Sequence, residues 1–276
     1  MSLVTVVSAK GSPGATTIAL LLARELACRR QAQVPGACLV DADPDGGDLA
    51  LRLGLDPVPG AATLALAGRH GFDDSLLVAH AQNTHSLPGV AIVPGVAGRA
   101  QRSVIEWLAG PLARAAAAMS LPVVVDAGRV GTMTSRSLFE ASDCVLVACR
   151  SDTASIVHAR SALVSLAAEG IDAKAVLTEG SGESAHEVAS ALGHPVAAVV
   201  PLDTMHSPLL AQPSRRLSSS ALRHLGRSSD PAVQLLASVV LGEAPSIALP
   251  TARILEVPPP HVSTAATRAG LRSGSR

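Results

Sequence analysis

A lysine followed by a run of small residues has the composition and spacing of a phosphate-binding loop. Residues 3–7 are largely apolar and β-branched and lack helical periodicity, which predicts a buried parallel strand. Residues 11–14 (Gly-Ser-Pro-Gly) interrupt this strand, and from residue 16 onward the apolar residues recur on one helical face. Such a loop presents backbone N–H groups and the positive end of a helix dipole to an anion. The stretch 10–17 therefore predicts phosphate binding.

The loop departs from the standard P-loop at the position of the phosphate-binding lysine. A standard P-loop reads Gly-x4-Gly-Lys-Ser/Thr, whereas residues 10–17 read Lys-Gly-Ser-Pro-Gly-Ala-Thr-Thr. Ala15 stands where the usual lysine belongs, and Lys10 instead precedes the first glycine. The only other lysine of the chain is Lys174, so the lysine at position 10 does not follow from composition. An ordinary turn between a strand and a helix is the alternative interpretation.

Three aspartates follow apolar segments that are predicted to be strands. Asp41 and Asp43 come after one such segment, and Asp126 comes after another. Because ligands bind at the carboxyl ends of strands in open parallel sheets, these carboxylates are expected beside the loop. An aspartate after an apolar strand is the Walker B arrangement, in which the carboxylate holds Mg²⁺ or orients a catalytic water. For the turn after Asp43, the alternative is a helix-capping turn with Asp48 as the N-cap.

The elements that must position these residues alternate regularly along the chain. Near-continuous apolar strands that alternate with helices predict an α/β fold, with a doubly wound, mostly parallel sheet of about seven strands flanked by helices. Together with the loop at residues 10–17, this fold resembles the P-loop NTPase type. We expect one domain over residues 1–242, in which the Gly/Pro/Ala-rich stretch 54–86 is a surface excursion. Residues 243–276 contain five prolines and scattered arginines, which predicts a disordered, basic tail.

These motifs resemble those of the MinD/ParA family of P-loop ATPases. The family's deviant Walker A loop reads Lys-Gly-Gly-x-Gly-Lys-Thr-Thr, and residues 10–17 match it except at Ser12 and Ala15. The family's second motif reads Asp-x-Asp-Pro-x-Gly, which residues 41–46 match in the same order and spacing. After Asp126 the family usually continues with prolines, whereas this chain continues Ala-Gly-Arg-Val-Gly.

The resemblance implies a site for ATP and Mg²⁺ between two copies of the chain. In the family, the signature lysine, here Lys10, reaches across a homodimer to the phosphates of the partner subunit. Thr16 and Asp126 would hold Mg²⁺, and Asp41 would position or activate the attacking water. Asp43 would lie near the metal or the dimer interface. The catalytic residues implied are therefore Lys10, Asp41 and Asp126.

The resemblance also implies which residues surround the nucleotide. Residues 201–203 (Pro-Leu-Asp) resemble the family's Ile-Pro-x-Asp segment, which frames the base, and Thr178 stands where many relatives have an asparagine that contacts adenine. The nucleotide-binding residues implied are Lys10, Gly11, Ser12, Pro13, Gly14, Ala15, Thr16, Thr17, Asp43, Thr178, Pro201 and Asp203.

Composition disfavours several other classes of protein. Aromatic residues make up 1% of the chain, which argues against stacking on single-stranded nucleic acid. The four cysteines form no Cys-x-x-Cys pair, and no apolar stretch reaches 18 residues, so we expect a cytoplasmic protein without a membrane span. The tail carries one leucine after residue 260, too little for a stable membrane anchor. Four arginines within residues 215–227 are either a solvated face or a DNA contact.

The sequence therefore leaves two functional hypotheses. The first is an ATP-dependent dimeric switch that acts on an unidentified protein partner in cell division, partitioning or pilus assembly, the last suggested by the atypical P-loops of CpaE/TadZ-like relatives. In this hypothesis hydrolysis is slow, because Ala15 removes a donor to the phosphates. The second is a pseudo-ATPase scaffold that keeps only the fold and its protein-binding surfaces.

Overall fold

The structure, a computed structural model, describes residues 3–10, 14–30, 33–131, 136–178, 185–200 and 231–243. Three residues of the predicted phosphate-binding loop, Gly11, Ser12 and Pro13, lie outside the described residues. So do Pro201, Asp203, the arginine-rich segment 215–227 and the tail from residue 244 onward.

Seven parallel strands form one sheet in the order β3-β2-β4-β1-β5-β6-β7. The chain crosses the sheet in one direction from β1 to β3 and in the other from β5 to β7, with β1 and β4 at the centre. This confirms the predicted doubly wound sheet, and all of its strands are parallel. The strands are β1 (Leu3–Ser8), β2 (Ala37–Asp41), β3 (Val90–Val93), β4 (Val123–Arg129), β5 (Cys144–Cys149), β6 (Ala173–Leu177) and β7 (Val196–Val199).

Helices cover both faces of the sheet, as the near-continuous apolar strands predict. One face packs against α1 and α9, and the other packs against α3 to α8. The helices are α1 (Ala15–Arg29), α2 (Leu49–Leu53), α3 (Ala61–Ala67), α4 (Asp74–Ala79), α5 (Ala100–Ala115), α6 (Arg136–Ala141), α7 (Thr153–Ala168), α8 (Ala185–Leu192) and α9 (Pro231–Leu241). Short 3-10 turns follow α3 and α5, at Gly68–His70 and Ala116–Ala118.

Residues 54–86, which composition predicts as a surface excursion, also contribute to the core. Leu64 of α3 and Leu77 of α4 are fully buried. Because this stretch contributes buried leucines from two short helices, the prediction of a surface segment was wrong in this respect. Each helix is too short to show a clear apolar face in the sequence, and one buried leucine is enough to hold it against the core.

The last described helix, α9, is held against α1 by one arginine. The guanidinium of Arg29 donates to Glu25 at 3.1 Å, to Glu243 at 2.6 Å, to the Gln234 carbonyl at 2.7 Å and to the Ser238 hydroxyl at 3.2 Å. Glu25 is almost completely buried, so this arginine also neutralises a desolvated carboxylate. Because α1 begins at the phosphate-binding loop and Arg29 is at its other end, α9 ends on the side of the sheet away from that loop.

We expect Arg29→Ala to lower the free energy of unfolding by about 2 kcal/mol, because hydrogen bonds to charged groups contribute about 1.5–3 kcal/mol and Glu25 would be left buried without this partner. Chemical denaturation measures this change, and hydrogen exchange should show faster exchange in residues 231–243. Arg30→Ala is the matched control, since Arg30 is the neighbouring arginine and bonds only to exposed Gln33 among the described residues. Equal effects of the two variants would contradict the assignment.

Candidate functional site

The described part of the phosphate-binding loop places helix α1 with its N-terminus at the carboxyl edge of the sheet. Gly14 precedes α1 with a φ of 90°, a conformation that favours glycine, and its carbonyl accepts the first helical bond from Ile18 at 2.9 Å. Among the described residues, no side chain caps this helix. The amides of its first turn are groups that an anion could bind, and phosphate binding at this loop stays a prediction.

The residues around this helix start differ in exposure. Lys10 is exposed at the end of β1, whereas Ala15 and Thr17 are buried against the sheet. Thr16 lies between them on the first turn, and its hydroxyl is close enough to the carboxylate of Asp126 to counteract the rise that burial causes in the pKa of that carboxyl. The structure thus brings Thr16 to Asp126 and leaves the Lys10 side chain on the surface.

Asp41 and Asp126 are adjacent across two neighbouring strands. They are register partners on β2 and β4, with exposed fractions of 1% and 3%. One carboxylate oxygen of Asp41, Oδ2, accepts the Leu49 backbone N–H at 3.0 Å. The other, Oδ1, is buried and has no hydrogen-bond partner among the described residues. Two carboxylates buried this close together disfavour each other's ionised form.

Burial accounts for most of the titration behaviour of this pair. Burial, reinforced by the charge of Asp126, raises the pKa of Asp41 to about 7. Burial also raises the pKa of Asp126, although the nearby hydroxyl of Thr16 opposes the increase. Both carboxyls therefore retain protons at a pH where exposed aspartates are ionised.

The donor set fits a magnesium ion that is shared with phosphates. Mg²⁺ binds through one or two carboxylates together with waters and substrate phosphates, rather than through a cage made only of protein. Thr16 and Asp126 supply ligands of this kind. The described residues contain no cluster of three or more His, Cys, Asp and Glu that could hold a metal ion.

A buried glutamine, not predicted from the sequence, fixes the position of Asp41. Gln101 on α5 is completely buried, donates to the Asp41 carbonyl at 2.9 Å and accepts the Val96 N–H at 2.8 Å. Gly47 packs on the Asp41 carboxylate so closely that a Cβ there would lie 2.6 Å from Oδ2. A polar residue among the apolar positions of a helix was the available signal for Gln101.

The turn after β2 connects to the end of β4 through charged side chains. Asp43 Oδ1 accepts the Asp45 N–H at 2.9 Å, and the Asp43 carboxylate lies against Gly128, where a Cβ would overlap with it. Asp45 forms ion pairs with Arg102 on α5, at 3.2 Å, and with Arg129 at the end of β4. Asp43 thus lies beside the Asp41–Asp126 pair and contacts the turn after β2 and the end of β4. A position of Asp43 near a metal or a dimer interface stays a prediction.

The helix-capping alternative for this turn holds only in part. Asp48 occupies the N-cap position of α2, but its side chain makes no capping hydrogen bond and pairs with Arg52 at 3.3 Å. The carboxylate of Asp41 accepts the first amide of α2 instead. Asp41 therefore contributes one oxygen to local structure and leaves the other free.

Thr178, predicted near the base, lies just beyond the carboxyl end of β6. Its side chain is buried, and its hydroxyl donates to the Cys149 carbonyl at 3.4 Å. The predicted partners of Thr178 in framing the base, Pro201 and Asp203, lie outside the described residues. A contact between Thr178 and adenine stays a prediction.

The sheet order, the helix at the end of β1 and the paired aspartates define an α/β protein with the architecture of a P-loop ATPase. The structure is similar to a ParA family ATPase from Chlorobium tepidum TLS, with a TM-score of 0.67, 20% identity, and coverage of 87% of this chain and 98% of that chain. It is also similar to the septum site-determining protein MinD complexed with Mg-ADP from Pyrococcus horikoshii OT3, with a TM-score of 0.64, 17% identity, and coverage of 87% and 95%.

A third similar structure is the MinC:MinD cell division protein complex of Aquifex aeolicus, with a TM-score of 0.63, 16% identity, and coverage of 92% of this chain and 99% of that chain. No protein-family model matches the sequence, and no curated protein matches it. The chain thus has the fold of the MinD/ParA ATPases, which confirms the structural part of the sequence resemblance. Within the described ranges, no helix is long and apolar enough to cross a membrane.

Proposed function

We propose that this chain is an ATP-binding protein of the MinD/ParA type, which dimerises around Mg·ATP and positions or assembles other cellular machinery. The observation that carries the proposal is the buried pair of Asp41 and Asp126 beside the uncapped start of α1. Two desolvated carboxylates in register are costly to a fold, since replacing buried charged groups with well-packed apolar ones is often neutral or stabilising. A cation and phosphates would offset their cost.

Each described residue of the candidate site has a role in this proposal. The amides of α1 bind phosphate oxygens, and Thr16 and Asp126 hold Mg²⁺, which when bound neutralises charge on the phosphates. Asp41 Oδ1 is a free acceptor for a proton of the attacking water. Its raised pKa suits this task, because a general base works best with a pKa near the operating pH.

A scaffold that binds nucleotide weakly and does not hydrolyse it is the second candidate, and Ala15 favours it. Because Ala15 at the start of α1 carries no charge, nucleotide binding relies on the backbone amides, Mg²⁺ and neighbouring basic groups. If the protein is the switch, its hydrolysis is slow, because a missing donor to the transition-state oxyanion costs about 10²–10³ in rate. Calorimetry with Mg·ATP separates the two candidates: binding below millimolar supports the switch, and no heat supports the scaffold.

We expect Mg·ATP to shift the protein from monomer to dimer and Lys10→Ala to abolish this shift. Lys10 is exposed and precedes the loop, so its side chain can point towards a second subunit, and an isologous interface would bring two such lysines to two nucleotides. Sedimentation velocity with a non-hydrolysable ATP analogue measures the shift. Lys174→Ala is the matched control, because Lys174 is the only other lysine and is paired with Asp172 on the far side of β5.

Two outcomes would contradict the role of Lys10. One is a protein that stays monomeric with and without the analogue. The other is a Lys10→Ala variant that dimerises as well as the wild type. If Lys174→Ala also abolishes dimerisation, the effect is a general loss of positive charge and not a specific contact.

The finer assignments rest on sequence alone. We propose a cytoplasmic protein with a domain over residues 1–242 and a tail over residues 243–276. Its partner acts in cell division, partitioning or pilus assembly. The A. aeolicus MinD structure is a complex with MinC, which supports a protein partner for a chain of this fold. A DNA contact through residues 215–227 is a weaker alternative, because four arginines form a small electrostatic footprint.

A further inference from the structure

The site combines several carboxylates with few cations. Asp41, Asp43 and Asp126 lie together at the carboxyl edge of the sheet, and Ala15 supplies no charge. A triphosphate adds further negative charge to the same edge.

Arg52 on α2 already acts on Asp126, where its charge opposes the rise that burial causes in the pKa of the carboxyl, and it is paired with Asp48. Besides Mg²⁺ and Lys10 of the partner subunit, the basic residues of the surrounding loops are the remaining source of compensating charge.

An irregularity in β4 brings one of these basic residues to the site. Val6 of β1 pairs with Asp126, but Ser8 pairs with Arg129, so β4 contains an extra residue directly after Asp126. Two hydrogen bonds fix this bulge, from the Ser8 hydroxyl to the Gly128 carbonyl at 3.2 Å and from the Val130 N–H to the Ser8 carbonyl at 2.9 Å. Bulges of this kind redirect side chains next to functional sites.

We propose that Arg129 binds the phosphates of the nucleotide within its own subunit and replaces the lysine that is missing at position 15. This inference rests on the proposed function, because it concerns the same nucleotide site. The guanidinium group of arginine is a planar fork that matches phosphate oxygens in a bidentate manner, so it serves this purpose at least as well as a lysine.

The present partner of Arg129 can be exchanged for phosphate. Arg129 pairs with Asp45, and the side chains of the two residues are 53% and 38% exposed. Ion pairs at such exposure contribute little stability, because water competes with them. Asp45 keeps a second ion pair, with Arg102, so the departure of Arg129 does not leave its carboxylate alone. A phosphate with more than one negative charge therefore outcompetes Asp45 for Arg129.

This exchange also connects the nucleotide to the turn that carries Asp43. Asp45 belongs to that turn and lies two residues from Asp43, whose carboxylate packs against Gly128, the neighbour of Arg129. When Arg129 moves to the phosphates, the turn after β2 loses its ion pair with the end of β4. The two loops beside the nucleotide thus separate or come together according to the presence of phosphate.

Calorimetry of Mg·ATP binding to three variants tests the proposal. Arg129→Ala should weaken binding by tenfold or more, as expected for the loss of a hydrogen bond to a charged group. Arg102→Ala is the matched control, because it removes a similarly exposed arginine from the same Asp45, and it should change affinity less than twofold. Asp45→Asn should tighten binding about two- to fivefold, since it removes the competitor, and should have no effect in the Arg129→Ala background.

The outcomes separate this inference from the proposed function. If the wild type binds Mg·ATP but Arg129→Ala binds within twofold of it, the inference is wrong and the proposed function stands. If the wild type does not bind, both are wrong. Should Arg129→Ala fail to fold by circular dichroism, Arg129→Lys and Asp45→Asn decide the matter. The proposal is supported if Arg129→Lys retains its affinity for Mg·ATP and Asp45→Asn binds Mg·ATP more tightly than the wild type. Unchanged affinity in Asp45→Asn overturns it.

Discussion

Ala15→Lys is expected to raise the rate of ATP hydrolysis by about 10²-fold and to tighten Mg·ATP binding. The substitution restores a cation at the first position of α1, directly after Gly14. Loss of one donor to a transition-state oxyanion typically costs about 10²–10³ in rate, so the restored donor should recover much of this factor. Steady-state phosphate release and calorimetry measure the two quantities. If Arg129 already supplies charge in cis, the gain in affinity should be smaller than the gain in rate.

Ala15→Met is the control for this experiment. Methionine has a side chain of similar length without charge, so it reports any effect of filling the space around a buried alanine. We expect its rate to equal that of the wild type or to fall below it. A wild type that hydrolyses ATP as fast as Ala15→Lys, or equal gains in the lysine and methionine variants, would contradict this account of the atypical loop.

The nucleotide-free protein is expected to lose stability as the pH rises from 5 to 8. The pKa of Asp41 is raised by burial from 3.8 to about 7, and that of Asp126 is raised as well. Between about pH 4 and 7 the folded state therefore binds more protons than the unfolded state, and the free energy of unfolding falls as these protons leave. A shift of about 3 pKa units corresponds to about 4 kcal/mol, so we expect a decrease of about 2–4 kcal/mol.

Asp41→Asn should stabilise the nucleotide-free protein at pH 8 and flatten its pH dependence. Asparagine keeps an acceptor for the Leu49 amide and removes the charge. Mg·ATP should also flatten the dependence in the wild type, because a cation favours the ionised carboxylates. Denaturant titrations at several pH values measure these changes. A less stable Asp41→Asn variant at pH 8 would show that Asp41 has a structural role and would weaken the proposed function.

Spacing along the chain was sufficient to predict the sheet and the position of its aspartates. Apolar segments that alternate with helices admit few arrangements other than a parallel sheet covered on both faces. Parallel strands all end at one edge, so Asp41 and Asp126 had to lie at the same edge as the loop after β1. The approximate location of the site therefore follows from the order of apolar segments and aspartates along the sequence. The short helix α6 was not predicted.

The sequence by itself determined the fold class, the site's edge of the sheet and the absence of the usual P-loop lysine. Only the tertiary structure decided that Asp41 and Asp126 are adjacent register partners and that Gln101 supports Asp41 from α5. It also decided that Arg129 reaches Asp45. The physical reason is that periodicity reports which face of one element is buried. Strand order, a one-residue bulge and contacts between residues 60 or 84 positions apart depend on how separate elements pack together.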